Sequence, residues 1–140
     1  MKKKFKVVNH TADVGLKVFG KNFQQLLENA ALGMYSLLCD IKKVDGKKLV
    51  KISFLEKNDF ELILITFLNN LLYYTFTKHI LFKKFFIKMI NISNKKNHVK
   101  ISIKCVGEKY CTQKHGPLME IKAATYHKLK VIKNKNGLVG

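Results

Sequence analysis

This sequence has no arginine and few acidic residues. None of its 27 basic residues is arginine and only nine residues are acidic, so the formal net charge is +18. Sites that hold phosphate with a guanidinium fork require arginine. Together with the abundance of asparagine, isoleucine and phenylalanine, the all-lysine pattern favours codon bias in an AT-rich genome over selection for such forks.

Cysteine is also scarce. The three cysteines, Cys39, Cys105 and Cys111, are an odd number and include no CxxC spacing. This pattern argues against both a disulfide framework and a zinc knuckle. We therefore expect three reduced thiols.

Long apolar runs are missing as well. The longest uncharged run, residues 62–77, is shorter than the roughly 20 residues of a membrane span, and it contains Asn69 and Asn70. The basic N-terminal segment is not followed by an apolar signal core or a small-residue cleavage site. We expect a cytoplasmic protein without membrane association, in which residues 62–77 belong to a core helix.

The apolar residues that are present suffice for one core. A chain of 140 residues with 47% apolar content predicts a single domain spanning residues 1–140. Asn22, with Gln25 three residues later, has the spacing of a helix N-cap and capping box. Glu28 and Asn29 lie off the apolar stripe of this first helix and are expected to be solvated. The stripe itself follows helical spacing and consists of Phe23, Leu26, Leu27, Ala30, Ala31, Met34 and Leu38.

A second helix is predicted for residues 59–74. Asn58 and Glu61 repeat the capping-box spacing, and Asp59 and Glu61 place negative charge in the first turn, where the helix dipole favours it. This helix is apolar on most sides. We therefore expect it to be largely covered, with its aromatic residues in the core.

Alternating apolar and polar residues predict strands at 14–19, 49–55 and 99–105, with a short strand at 5–9 and a bent strand at 81–92. Short connections favour antiparallel pairing. The predicted fold is α+β, with two helices packed on a mainly antiparallel sheet. The motifs GxGxxG, GxxxxGK[ST] and GxSxG are absent, so nucleotide-binding folds and serine hydrolases are not indicated.

Two aspartates bracket the first strand and helix. Asp13 precedes the strand and Asp40 follows the helix. A strand of about six residues covers roughly 20 Å and a helix of about sixteen roughly 24 Å, so both carboxylates can reach the same end of the domain. They would then offer a pair of oxygen ligands. In the alternative, Asp13 only hydrogen-bonds its own turn and Asp40 only ends the helix.

The positive charge has two interpretations. Clustered lysines bind nucleic acid by releasing counterions from phosphates, whereas dispersed lysines form an ordinary solvated surface. The lysines are spread along the chain and are not gathered in one block. The sequence therefore indicates weak RNA affinity at most, without sequence-specific readout.

Several segments together resemble the archease family. They are His-Thr-Ala-Asp at residues 10–13, Glu-Asn-Ala-Ala-Leu at 28–32, Phe-Leu-Asn-Asn-Leu-Leu-Tyr at 67–73, and the segments at 107–110, 114–117 and 120–127. The resemblance covers essentially the whole chain in order. It implies a small α+β protein that is not itself an enzyme and has no catalytic residues. It also implies that the protein assists the RNA-splicing ligase joining 2′,3′-cyclic phosphate or 3′-phosphate ends to 5′-hydroxyl ends.

The resemblance implies how this assistance works. An archease promotes guanylylation and multiple turnover of the ligase in tRNA splicing or RNA repair, and it meets RNA indirectly through the ligase. It uses a divalent metal held by carboxylates, and Asp13 and Asp40 match the metal-binding acids of the family. Ca²⁺ suits such oxygen ligands best, with Mg²⁺ and Mn²⁺ as alternatives.

The sequence departs from the family pattern at its C-terminal end. Family members usually continue into a final strand that carries another Asp ligand, whereas this sequence stops at residues 138–140. We therefore expect an incomplete final strand and an open sheet edge. Two carboxylates alone bind Ca²⁺ weakly. Further ligands would come from a continuation of the chain, from water or from the ligase, or the site is not completed at all.

Three further residues are candidates for partner or phosphate contact. His10 can be a ligand or general base, or can fix its turn by hydrogen bonding. Lys114 and His115, in a glycine-proline loop, can contact phosphate or ligase, or can be solvated. Two other functions stay open: a metal-dependent phosphoesterase or nuclease that uses Asp13 and Asp40 directly, and a basic RNA-binding module that depends on lysine charge.

Overall fold

The computed structural model of this protein describes residues 4–9, 14–91, 97–118, 132–134 and 137–139. Seven strands and three helices are found in these ranges. Their order along the chain is β1 (Phe5–Asn9), β2 (Val14–Gly20), α1 (Phe23–Leu38), a 3₁₀ turn (Ile41–Lys43), β3 (Lys48–Lys57), α2 (Phe60–Lys78), β4 (Ile80–Asn91), β5 (His98–Lys109), α3 (Thr112–His115), β6 (Ile132–Asn134) and β7 (Gly137–Val139).

The strands form two antiparallel sheets. The first has the strand order β1-β2-β7-β6 and the second the order β3-β5-β4. Helix α1 packs against β1 and β2 of the first sheet, against β4 of the second, and against α2. The predicted α+β fold is confirmed, with two sheets in place of one. In the described part of the chain, no helix is both long and apolar enough to cross a membrane.

Helix α1 begins as its sequence predicts. The Asn22 side chain accepts a hydrogen bond from the backbone N–H of Gln25 at 2.8 Å, and the Gln25 side chain accepts one from the backbone N–H of Lys21 at 2.6 Å. The prediction for Asn29 is wrong: this residue is only 7% exposed. Its side-chain amide donates to the carbonyl oxygen of Phe19 at 2.7 Å, which satisfies the buried group and fixes α1 to β2.

Helix α2 begins one residue later than its predicted cap implies. Asp59, and not Asn58, is the N-cap, because its side chain accepts hydrogen bonds from the backbone N–H groups of Glu61 and Leu62. The helix also extends past residue 74 to Lys78 and is capped by His79, whose φ of 59° is left-handed. A residue with this backbone conformation cannot continue a right-handed helix.

The aromatic residues of α2 are divided between core and surface. Phe67 is fully buried, but Tyr73 is 53% exposed. The expectation that all of these rings lie in the core is therefore wrong for Tyr73, and also for Phe60, which is 41% exposed. The reason is that α2 contacts α1, β3 and β4 on one side, which leaves the other side to solvent.

The second sheet follows the predicted alternation. Along β5, Val99, Ile101, Ile103 and Cys105 are buried and the residues between them are not. Strand β4 bends as predicted, because its register with β5 shifts between Phe82 and Lys84. Gly107 lies opposite this bulge, where a β-carbon would clash with the carbonyl oxygen of Leu81. The close approach of the two backbones requires glycine at this position.

A ring cluster with one hydroxyl pair lies at the centre of the core. The Tyr35 ring packs against Phe82 and Phe85, with ring centroids about 6 Å apart. Its hydroxyl lies 2.6 Å from the Thr75 hydroxyl oxygen and donates to the carbonyl oxygen of Leu71 at 3.3 Å. Tyr35 and Thr75 are both fully buried, so this pair links α1 to α2 inside the core.

Candidate functional site

Asp40 lies just beyond α1, as the sequence predicts. Its backbone carbonyl accepts from the N–H of Lys43 at 3.0 Å, and its side chain accepts from the N–H of Lys42 at 3.3 Å, so it caps the 3₁₀ turn. The side-chain bond is long and correspondingly weak. Asp40 is exposed, and its carboxylate is therefore able to take a cation from solvent.

Asp13 and His10 lie outside the described residues, and their predicted roles stay predictions. The strands on either side of them are described. Asn9 of β1 is paired with Val14 of β2, so the ends of the four-residue connection are held opposite each other. The predicted strands on either side of residues 10–13 are thus confirmed, and the turn between them stays a prediction.

Helix α1 runs back along this hairpin. Only Lys21 and Asn22 separate β2 from α1, and the helix packs against both β1 and β2. The seven residues of β2 cover roughly 23 Å and the sixteen of α1 roughly 24 Å. The lengths are matched, so the end of α1 that carries Asp40 returns toward the paired residues Asn9 and Val14.

A polar cluster that the sequence did not reveal lies at one end of the second sheet. We call it the Glu108 cluster: Asp45, Glu108, Lys114 and His115. The Lys114 ammonium lies 2.5 Å from Asp45 Oδ2 and 2.9 Å from Glu108 Oε1. The backbone N–H of Asp45 also donates to Glu108 Oε1 at 3.0 Å. These bonds join the connection before β3 to the end of β5 and to α3.

His115 is held in one tautomer. Its side chain is fully buried, and its Nδ1 accepts a hydrogen bond from the backbone N–H of Cys111 at 3.0 Å. Because a backbone N–H can only donate, Nδ1 carries no proton, and Nε2 carries the proton and donates to Glu108 Oε1 at 2.6 Å. The ring also stacks on Tyr110, whose hydroxyl donates to the carbonyl oxygen of Gly116.

The charges of the cluster reinforce one another. Hydrogen bonds from Lys114, from the backbone of Asp45 and from His115 lower the pKa of Glu108 to about 2. The hydrogen bond and charge of Lys114 also lower the pKa of Asp45, and the two carboxylates raise the pKa of Lys114. The predicted partner contacts of Lys114 and His115 remain predictions, but both side chains already have partners within the protein.

The Glu108 cluster is not arranged as a metal site. The Lys114 ammonium lies between the carboxylates of Asp45 and Glu108, in the position that a divalent cation would need. Across the described ranges, no group of three or more His, Cys, Asp or Glu side chains could hold a metal ion. A carboxylate site of the predicted kind therefore depends on Asp40 and on residues beyond these ranges.

The three cysteines are free thiols, as predicted. Cys105 is buried and burial raises its pKa to about 12. Burial and the neighbouring Asp40 charge raise the pKa of Cys39 to about 11. A thiol that stays protonated is a poor nucleophile and a poor metal ligand. Without a bound cation, Cys39 therefore stays a neutral thiol at neutral pH.

Sequence comparison connects this fold to one family. Residues 5–139 match the model of the Archease protein family (MTH1598/TM1083). The "Protein archease" of Methanosarcina barkeri is 34% identical over 135 residues, which are 96% of this chain and 90% of that protein. The "Protein archease" of Sulfurisphaera tokodaii is 34% identical over 128 residues, which are 91% of this chain and 88% of that protein.

Solved structures agree with this assignment. The solution structure of Methanobacterium thermoautotrophicum protein 1598 has a TM-score of 0.78 and 27% identity, and the match covers 97% of this chain and 93% of that one. The crystal structure of an "archease, possible chaperone" from Thermotoga maritima has a TM-score of 0.54 at 21% identity, which shows a shared fold alone. With a family-model match over nearly its whole length and relatives above 30% identity, this chain belongs to the archease family.

Proposed function

We propose that this protein acts in the cytoplasm as an accessory activator of an RNA ligase. The ligase joins 2′,3′-cyclic phosphate or 3′-phosphate ends to 5′-hydroxyl ends in tRNA splicing or RNA repair, and the activator promotes its guanylylation and repeated turnover. Family membership over residues 5–139 is the observation that carries the proposal. The exposed Asp40 at the end of α1 agrees with it, because this is one of the two expected metal-binding acids.

A divalent cation fits the chemistry of this end of the molecule. Asp40 and Asp13 would hold it through carboxylate oxygens, the ligands that Ca²⁺ prefers, with Mg²⁺ or Mn²⁺ as alternatives. When bound, the cation would supply positive charge toward a phosphate or a carboxylate of the ligase. The Asp40 side chain makes one long hydrogen bond to the 3₁₀ turn. Loss of that bond on binding a cation would therefore destabilise the fold little.

The test is ligase turnover. The cognate ligase would be limiting, with GTP, Ca²⁺, Mg²⁺ or Mn²⁺, and an excess of RNA carrying 3′-phosphate and 5′-hydroxyl ends. We expect the wild-type protein to raise the number of ligations per ligase, and Asp13→Ala and Asp40→Ala to remove most of that gain. Glu28→Ala removes an exposed carboxylate from α1, the helix that precedes Asp40, and should leave the stimulation of the ligase unchanged.

A second measurement separates metal binding from folding. Calorimetric titration with Ca²⁺ should give heat for wild type and for Glu28→Ala, and little for Asp13→Ala or Asp40→Ala. Circular dichroism should be the same for all four proteins. The proposal is wrong if the properly folded wild type does not stimulate the ligase. Hydrolysis of RNA by the protein alone, lost in both aspartate variants, would instead favour the nuclease alternative.

A further inference from the structure

The second sheet has a face opposite to the one that carries its buried residues. Exposed or half-buried residues alternate with core residues along each of its three strands, and they define what we call the outer face. Its members are Leu49, Lys51, Ser53, Leu55 and Lys57 of β3; Lys84, Phe86, Lys88 and Ile90 of β4; and His98, Lys100, Ser102, Lys104 and Val106 of β5.

The outer face is strongly cationic. Six of its residues are exposed lysines and none is acidic. Within the described ranges these lysines form no ion pairs, since those found involve only Lys114 and His115. Glu108 continues the same side of β5 beyond Val106, but Lys114 already neutralises it. Helix α1 borders the face, because its Gln24 and Glu28 line a groove of about 620 Å³ together with outer-face residues that include Lys51, Phe86, Lys88 and Lys104. Glu28 is the one acid among the residues that line this groove.

The strand register places the cations around an aromatic ring. Lys51 pairs with Lys104, and Lys104 with Phe86, so these three residues lie in one row across the sheet. The next row is Ser53, Ser102 and Lys88. Phe86 is 60% exposed, the largest value among the exposed apolar side chains of the described residues. Neighbouring strands are about 4.8 Å apart and alternate residues about 6.6 Å apart, so several cations lie within one nucleotide's reach of the ring.

We propose that the outer face binds single-stranded nucleic acid, with lysines contacting phosphates and Phe86 stacking on a base. Cations alone would serve any polyanion, but an exposed ring set among them matches a ligand that carries phosphates and flat bases together. An antiparallel sheet that presents aromatic rings is an established platform for splayed bases. A duplex would not offer Phe86 an unstacked base. The inference rests on this face alone and not on the proposed ligase function.

The test uses fluorescence anisotropy with the full chain and a labelled twelve-nucleotide single strand, as RNA and as DNA, at several salt concentrations. The face variant carries three glutamine substitutions within the two central rows: Lys51→Gln, Lys88→Gln and Lys104→Gln. The matched control loses the same charge from exposed lysines elsewhere: Lys6→Gln, Lys21→Gln and Lys78→Gln. A second pair compares Phe86→Ala with Leu49→Ala, an exposed aliphatic residue of the same face.

We expect the face variant to bind about tenfold more weakly and its salt slope to fall by about two, because each phosphate contact to a single strand contributes about 0.7 to the slope. The charge-matched control should change less than about threefold. Phe86→Ala should weaken binding about fivefold or more, the range found for loss of a stacking ring, and Leu49→Ala about twofold at most. Comparison of RNA with DNA then shows whether the 2′-hydroxyl contributes.

Three results would overturn the proposal. The first is equal loss in the face variant and its control, which would mean that only net charge matters. The second is a neutral Phe86→Ala together with equal binding of a duplex, which would remove the stacking role. The third is displacement of the oligonucleotide by polyglutamate of the same length at equal concentration, which would mark a general polyanion surface. The assay contains no ligase, so its failure would leave the proposed function untouched.

Discussion

At the scale of single residues, Glu108 is the carboxylate whose pKa is lowered furthest among the described residues that show a shift, from 4.5 to about 2. Its stabilisation has three donors: the Lys114 ammonium, the backbone N–H of Asp45 and the Nε2–H of His115. A group whose pKa is lower in the folded state stabilises folding above its unfolded pKa and loses that effect as pH falls through its folded pKa. Glu108 therefore links stability to pH between about 4.5 and 2.

Glu108→Gln should lower the free energy of unfolding at pH 7, because the amide cannot replace the charged acceptor. The difference from wild type should shrink as pH falls below about 4.5, since Glu108 then takes up a proton in the unfolded chain, which favours unfolding of the wild type until the folded protein is protonated as well. Urea denaturation at pH 7, 4 and 3 measures this. Glu28→Gln makes the same change on the exposed side of α1. The prediction would be contradicted if Glu108→Gln and wild type differed in unfolding free energy by the same amount at pH 7 and at pH 3.

Tyr35 and Thr75 give a second prediction at this scale. Tyr35→Phe keeps the ring but leaves the buried Thr75 hydroxyl without its 2.6 Å partner, so it should cost about 1–2 kcal/mol of unfolding free energy. Thr75→Val should have a cost of similar size. The double variant removes both polar groups and should cost less than the two changes added together. Chemical denaturation of all four proteins provides the cycle, and strict additivity would show that the hydroxyls do not interact.

At the scale of elements, the start of α2 distinguishes two neighbouring residues of similar capping ability. Asp59→Ala should cost about 1 kcal/mol, because its carboxylate accepts from two backbone N–H groups of the first turn. Asn58→Ala should cost no more than a few tenths of a kcal/mol. Thermal and urea unfolding of the two variants provides the comparison. A larger loss of stability for Asn58→Ala than for Asp59→Ala would show that Asn58 is the N-cap, as the sequence predicted.

What the sequence could predict at this scale follows from how local each signal is. The cap at Asn22, the apolar stripe of α1 and the alternation in β3 and β5 depend on residues only a few positions apart, and all were predicted. Burial of Asn29 depends on the Phe19 carbonyl across a tertiary contact, and was missed. The predicted N-cap of α2 was wrong by one residue because Asn58 and Asp59 are both residue types that favour this position.

The candidate sites divide in the same way. The position of Asp40 after α1 was predicted because local pattern is enough to locate the end of a helix, whereas its metal-binding role stays a prediction. The Glu108 cluster was missed because Asp45 and Lys114 are 69 positions apart in the chain. The lysines of the outer face belong to three separate strands, so they look dispersed in the sequence and come together only through the strand register.

At the scale of the whole molecule, a net charge of +18 works against the compact state through self-repulsion. We expect the melting temperature to rise with NaCl between about 20 and 300 mM, because salt screens repulsion between exposed charges. The face variant should be more stable than wild type at low salt, by about 0.2–1 kcal/mol, since Lys51 and Lys104 lie directly opposite each other. Its dependence on salt should also be weaker.

A variant with Lys21, Lys43 and Lys78 replaced is the control, because it removes equal charge from exposed positions in three separate elements or connections and from no pair of opposed lysines. Differential scanning calorimetry of both variants at low and high salt makes the comparison. If the control gains as much stability as the face variant, repulsion is spread evenly over the molecule and the outer face has no special share in it.

The pairing of β2 with β7 has a consequence for how the protein is made. Phe19 pairs with Val139, so the two strands lie at almost opposite ends of the chain. During synthesis on the ribosome, β1, β2 and α1 emerge early, but this edge of β2 has no partner until β7 is made, after β3, α2, β4 and β5. Closing so long a loop is entropically costly and slow, and an unpaired strand edge is open to association with other chains. Completion of the first sheet is therefore the step at which a newly made chain is most exposed to misassembly.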